Sequence, residues 1–159
     1  MTQDEVRTLF VYESTGMLRK VVEARKPYPW RKAGKDGRYL LTTFAGKSYY
    51  LHRLIWLYHN GTTPPMLDHI NGDTRDNRIE NLRACTNAQN QYNSRRKSNN
   101  QSGHKGVVFH PKCTLKPWQA KVVIGGRVMS LGYYSSKEQA AAAYAAELKN
   151  VAGPFARVE

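Results

Sequence analysis

Short apolar runs separated by turn residues dominate the first fifty positions. Leu9 to Tyr12, Leu18 to Val22, Tyr39 to Thr43 and Ser48 to Leu51 have strand character, divided by Thr15-Gly16, Gly34-Lys35-Asp36-Gly37 and Ala45-Gly46-Lys47. The pattern predicts a small antiparallel sheet with tight connections. Pro27, Pro29 and the basic residues Arg25, Lys26, Arg31 and Lys32 interrupt it as a loop. From His52 to Asn60, Leu54, Ile55, Leu57 and Tyr58 surround Trp56, which predicts a mostly buried helix stopped by Asn60-Gly61 and Pro64-Pro65. Met66 to Ile70 then reads as a strand, Asn71-Gly72-Asp73 as a turn and Ile79 to Leu82 as the returning strand, before a helix from about Thr86 to Asn93.

Residues 94 to 103 are polar and basic without apolar periodicity, which suits a linker or a basic helix end. The domain boundary is expected there, giving residues 1–97 and 98–159. Beyond it, Gly106 to His110, Trp118 to Ile124 and Arg127 to Leu131 read as strands, the last two joined by a Gly125-Gly126 hairpin turn. Ser135 and Glu138 have capping-box spacing ahead of the alanine-rich helix Gln139 to Leu148. Its small face can lie flat on three strands, so the module reads as βββα. The fold class is α+β: an N-terminal antiparallel sheet, a central ββα unit and a C-terminal three-stranded sheet on one helix.

Charge narrows the partner. Lys and Arg number 25 against 12 Asp and Glu, a formal net charge of +13, which favours a polyanion and above all nucleic acid. The segment from 66 to 100 is the least basic, with six cations against four carboxylates. No apolar run approaches the roughly 20 residues of a membrane span, and Met-Thr-Gln-Asp-Glu is not the start of a signal peptide, so a cytoplasmic protein is expected. Cys85 and Cys113 lack a Cys-x-x-Cys partner and are expected to be reduced thiols, not zinc ligands. Ten Tyr, four Phe and three Trp supply enough bulk for two small cores.

The acidic residues of the middle segment have chemical company. Asp68-His69 is followed by a run rich in Asn, Asp and Arg to Arg83, then by Asn87, Asn90 and Asn93. Phosphodiester hydrolysis needs a base for the attacking water and a hard cation to stabilise charge on phosphate and leaving oxygen. His69 can be the base. Asp68 with a helical carboxamide offers oxygen ligands, which select Mg²⁺ or Mn²⁺ over zinc. On an extended strand adjacent side chains point to opposite faces, so a shared site demands a local bend or bulge.

Asp68-His69-Ile70-Asn71-Gly72-Asp73, Asp76-Asn77-Arg78-Ile79-Glu80-Asn81-Leu82-Arg83, Asn87 and Asn90 resemble the His-Asn-His (HNH) endonucleases, in particular the phage and intron-encoded homing group. His52-Arg53-Leu54-Ile55-Trp56 and Gly61-x-x-Pro64 look like that group's lead-in, so the resemblance spans roughly residues 48 to 93. It implies a ββα-metal site with His69 as general base, Asp68 as first metal ligand and Asn81 as the middle Asn that ties the hairpin loop. Asn90 replaces the final His as second ligand, with Asn87 the alternative. The nuclease-toxin branch has His at the position of Asp68, so the departure here favours weakly held Mg²⁺.

Lys105-Gly106-Val107, Trp118-Gln119-Ala120-Lys121-Val122, Leu131-Gly132-Tyr133-Tyr134, Glu138-x-Ala140-x-x-Ala143-Tyr144 and Gly153-Pro154 resemble the plant APETALA/ethylene-response-factor DNA-binding domain over residues 102 to 157. In that family a three-stranded sheet enters the major groove. The resemblance implies DNA contacts from Lys105, His110, Trp118, Lys121 and Arg127. Val108 and Ser130 stand where the plant domains use arginine and tryptophan, so their target sequence does not carry over.

The expected function is a metal-dependent endonuclease acting on double-stranded DNA as a monomer or homodimer. The alternative is a DNA-binding regulator with a degenerate nuclease core.

Overall fold

The computed structural model describes residues 1–21, 29–34 and 37–158. Arg25, Lys26 and Pro27 of the expected basic loop, Val22, and the Lys35-Asp36 turn tip lie outside the described residues. The chain divides into two compact units, Met1–Cys85 and Thr86–Glu159.

The first unit opens with α1 (Gln3–Leu9), capped reciprocally by Thr2 and Glu5. β1 (Phe10–Glu13) and β2 (Met17–Lys20) form a hairpin, and β3 (Arg31–Ala33), β4 (Tyr39–Phe44) and β5 (Lys47–Tyr50) form a separate three-stranded antiparallel sheet. The expected single sheet is therefore two, and Arg31 and Lys32, expected in a loop, lie on β3. The reason is pairing: Arg31 faces Leu41 and Lys32 faces Leu40 across β4, and an exposed edge strand tolerates basic side chains.

Next comes α2 (Leu51–Asn60), ended by Gly61 in the left-handed conformation, whose N–H donates to Leu57 O at 3.0 Å. Leu51, Leu54 and Ile55, at helical spacing, are buried with Val6, Phe10, Leu18, Leu57 and Leu82 in the core of this unit. Each such Leu or Ile contributes about 1.5–3 kcal/mol by leaving water. Gln3 Nε2 and Arg7 Nε both donate at 3.0 Å to Tyr58 O, so α1 satisfies the C-terminal turn of α2. His52 follows Leu51 on the flank of the buried stripe.

β6 (Leu67–His69) and β7 (Leu82–Ala84) pair antiparallel, with Asp68 opposite Arg83 and His69 opposite Leu82. The expected return at Ile79 begins three residues later, because Ile79–Asn81 forms a 3-10 turn.

In the second unit, α3 (Asn87–Asn93) is capped reciprocally by Thr86 and Gln89. β8 (Val107–Phe109), β9 (Trp118–Ile124) and β10 (Arg127–Tyr134) form one antiparallel sheet with β9 central. β10 continues past the expected Leu131 through a register shift between Ser130 and Gly132. α4 (Lys137–Ala152) buries Ala140, Tyr144, Leu148 and Ala152, one stripe at four-residue spacing, against Val107, Ala120 and Val122. Burial pushes the Tyr144 phenol up to about 12. The cap of α4 is Ser136, whose Oγ accepts from Gln139 N at 3.2 Å. Ser135, expected in that place, instead donates to Gln139 Oε1 at 2.9 Å.

Candidate active site

A loop wired by its own side chains holds the His69 imidazole. Asn81 Oδ1 accepts from Asn71 N at 3.0 Å, while its Nδ2 donates to Asn71 Oδ1 at 3.1 Å and Asp76 O at 2.7 Å. Asn71 Nδ2 donates to Asp76 Oδ2 at 2.8 Å, and Arg78 grips both oxygens of Asp76 at 2.8 Å. The Arg78 hydrogen bonds hold the Asp76 carboxyl down to about 2. Asn71 and Asp73 also close two Asx turns, accepting from Asp73 N and Arg75 N. Ile79 N donates to the Tyr12 hydroxyl at 3.1 Å, fastening the loop to the β1–β2 hairpin.

Asn77 was not singled out from sequence, yet it is the most deeply buried polar residue of the loop, 1% exposed. Its Nδ2 donates to Arg75 O at 3.1 Å, which fixes the amide so that Oδ1 faces His69 Nε2, also at 3.1 Å. Nε2 therefore bears the proton and donates. In the neutral ring the basic nitrogen is then Nδ1.

His69 is 5% exposed, and other rings stand close to its own. The rings of His52 and Tyr39 lie 5.4 and 6.4 Å away, centroid to centroid, and His52 in turn contacts Tyr39 and Tyr50. Burial first, then the charge of His69 and of Arg53, pulls the His52 imidazole down to about 3. His52 is thus a neutral ring at ordinary pH. A cleft of about 300 Å³ bordered by Tyr39, Tyr50, His52, Arg53 and the Pro65–Leu67 segment opens beside this cluster. Arg53 is aimed by hydrogen bonds to the Pro64 and Pro65 carbonyls.

Asp68 has a different partner. Arg83 Nε and Nη2 both donate to its Oδ2, at 2.9 and 2.8 Å, and the two side chains are 15% and 7% exposed for Arg83 and Asp68. β6 and β7 pair without a register shift, so Asp68 meets Arg83 on one face while strand alternation turns His69 to the other. The local bend that a shared site demands is not found between these two residues. Cys85 lies near this pair, its thiol pushed up by burial and then by the Asp68 charge.

Among the described residues no group of three or more His, Cys, Asp or Glu side chains converges to hold a metal ion. The donor chemistry still suits a hard divalent cation, since Asp68 is a buried carboxylate whose oxygens are the preferred ligand type. Arg83 is the cation such an ion would compete with. Asn87, exposed, and Asn90, half-buried, are on α3 in the second unit.

The residues expected to contact DNA are spread over the second unit. Lys105 Nζ donates to the carbonyls of Tyr92, Ser94 and Arg157 at 2.7, 2.7 and 3.1 Å, and burial pulls its pKa down to about 8. Its ammonium thus serves the scaffold. Trp118 packs against the second core with its ring 4.8 Å from that of Phe109. His110 Nε2, Gln119 and Ser130 form a chain across the sheet with 2.9 Å links, and Lys121 faces Ser130. Arg127 is exposed at the start of β10.

Residues 49–92, a little over a quarter of the chain, match the sequence model of the HNH endonuclease family. A match over this stretch supports a nuclease-type activity on nucleic acid. The match includes β6, the wired loop, β7 and nearly all of α3. No curated protein and no solved structure matches the chain. The resemblance of residues 102–157 to the plant DNA-binding domain finds no support in these comparisons.

Proposed function

We propose that the protein is a metal-dependent DNA endonuclease that hydrolyses phosphodiester bonds at a specific site, of the phage homing type. The observation that carries this reading is the His69–Asn77 pair inside an HNH-matching segment. Asn77 receives the Nε2 proton, so Nδ1 of His69 is the atom that takes a proton from the attacking water. Asn81 keeps the loop closed, so the ring does not swing. Arg53, at the mouth of the adjoining cleft, supplies positive charge for the phosphate. Water then displaces the 3′ oxygen and leaves a 5′-phosphate, as the family resemblance implies.

The family resemblance implies Asp68 and Asn90 as ligands of a divalent metal, Mg²⁺ or Mn²⁺, although strand alternation sets Asp68 on the face opposite His69. When bound, that ion supplies Lewis-acid stabilisation of the phosphate and the departing oxygen. One such centre cuts one strand, so a monomer nicks and a symmetric dimer can break both strands.

A second reading, a DNA-binding regulator with a degenerate nuclease core, is favoured by the Asp68–Arg83 ion pair, which already neutralises the proposed metal ligand. Incubation of supercoiled plasmid with the protein and Mg²⁺, with and without EDTA, separates the two. EDTA-sensitive nicked or linear product supports the nuclease. Binding without cleavage over a range of Mg²⁺ and Mn²⁺ concentrations supports the regulator.

A further inference from the structure

The polar stretch after α3 is not a bare linker. Its beginning is pinned by the Lys105 ammonium, which donates to the carbonyls of Tyr92 and Ser94. Its end is pinned by Asn100, whose Nδ2 donates to His104 O at 3.0 Å and whose Oδ1 accepts from Gly103 N at 3.0 Å. Ser102, 7% exposed, sits 2.8–2.9 Å from Asn100 Oδ1, His104 O and Val107 O and locks this turn to β8. Between the pins, Arg95, Arg96 and Lys97 are exposed and line a cleft of about 360 Å³. Lys121 of β9, Val107 and Val108 also line it, and Asn99 and Asn100 add amides. Among the described residues no carboxylate lines it. The unit as a whole has eleven Lys and Arg against three Glu, a net charge of +8.

We propose that this cleft is a seat for the sugar-phosphate backbone of duplex DNA, independent of base sequence. Three consecutive cations and a fourth lining one cleft meet the closely spaced charges of a DNA strand, and guanidinium groups suit phosphate oxygens. The pinned ends matter because an ordered segment loses less conformational freedom on binding than a flexible tail. The inference rests on the nuclease reading for the identity of the polyanion, and the experiment keeps the two apart.

Full-length protein with His69→Ala is used as the parent, without divalent metal, so that no cleavage intervenes. Its affinity for a fluorescent duplex of arbitrary sequence is followed by anisotropy across a KCl series, alongside Arg95→Ala/Arg96→Ala/Lys97→Ala and the single variant Lys121→Ala. A control, Lys112→Ala/Lys116→Ala, removes exposed cations outside the cleft. The triple variant is expected to lower the slope of log affinity against log salt by about 0.9 per lost contact, and Lys121→Ala to do the same on a folded protein with one change. An unchanged slope in both overturns the proposal, as does an equal loss per charge in the control. A lowered slope in the two cleft variants, together with wild-type protein that fails to nick plasmid in Mg²⁺, leaves the cleft standing and removes the nuclease reading.

Discussion

Asn77 sets the tautomer of His69. The amide that accepts from His69 Nε2 at 3.1 Å is itself held by donating to Arg75 O, and both residues are buried, so neither partner rotates freely. Replacement of His69 by Ala is expected to reduce cleavage by about 10²–10⁴ while duplex binding persists, measured by plasmid nicking and anisotropy. Normal turnover would remove His69 from the reaction.

Asn77→Ala leaves the Nε2 proton without its acceptor in a buried site. The expected outcome is a loss of about 1–3 kcal/mol in denaturant unfolding, together with a fall in cleavage rate larger than the loss of folded protein explains. A variant that is destabilised yet cuts normally per folded molecule would show that Asn77 supports the fold alone.

The Asp68–Arg83 pair should behave as a buried ion pair. Arg83→Ala is expected to cost about 3–5 kcal/mol, because it takes the guanidinium away from a buried carboxylate. Added Mg²⁺ should then raise the melting temperature of Arg83→Ala more than that of the wild type, since the competing guanidinium is gone. Asp68→Ala should abolish any Mg²⁺-dependent shift. Equal Mg²⁺ responses in all three proteins would exclude Asp68 as a ligand.

His52 links stability to pH. Its folded pKa, about 3, lies below the ordinary value of 6.5, so between the two the unfolded chain binds the proton and the folded one does not. Its contribution is therefore complete above about pH 6.5 and is lost as pH falls toward 3, by up to about 1.4 kcal/mol per pH unit. His52→Gln cannot titrate. Unfolding curves for wild type and variant should converge or diverge across pH 6.5 to 4 with that slope difference, and parallel curves would mean His52 is protonated alike in both states.

Gly16 braces the loop from below. Its φ is +79°, and a methyl group there would meet Arg78 N at 2.5 Å and the Asn77 carbonyl carbon at 2.6 Å. Gly16→Ala is expected to destabilise the protein by about 1–3 kcal/mol and to slow cleavage by displacing Asn77. Unaltered cleavage and stability would show that the loop does not depend on this contact.

Local pattern was enough for the elements that are regular and self-sufficient. The leucine and isoleucine spacing of α2 with its Gly61 stop, the β9–β10 hairpin at Gly125-Gly126, and the alanine helix behind the C-terminal sheet could all be read from neighbours a few residues apart. So could the Asp68-His69 strand and the resemblance around it, since residue types at close spacing express that chemistry directly. α1 has a Thr2-x-x-Glu5 cap, but its apolar face is only Val6 and Leu9, too short for periodicity to reveal it. β3 reads as a basic loop because its strand state depends on pairing with β4.

Tertiary structure decided what each candidate side chain can do. Arg83 reaches Asp68 only through cross-strand register, Asn77 reaches His69 only through the fold of a loop, and His52 approaches from a helix seventeen positions earlier. The resemblance to the plant domain implies a DNA contact from Lys105, whereas burial among three carbonyls makes it the pin that shapes the neighbouring basic segment. Chemical type is written locally in the chain; burial, tautomer and ion pairing depend on distances between residues far apart in it, and these exist only once the backbone has closed.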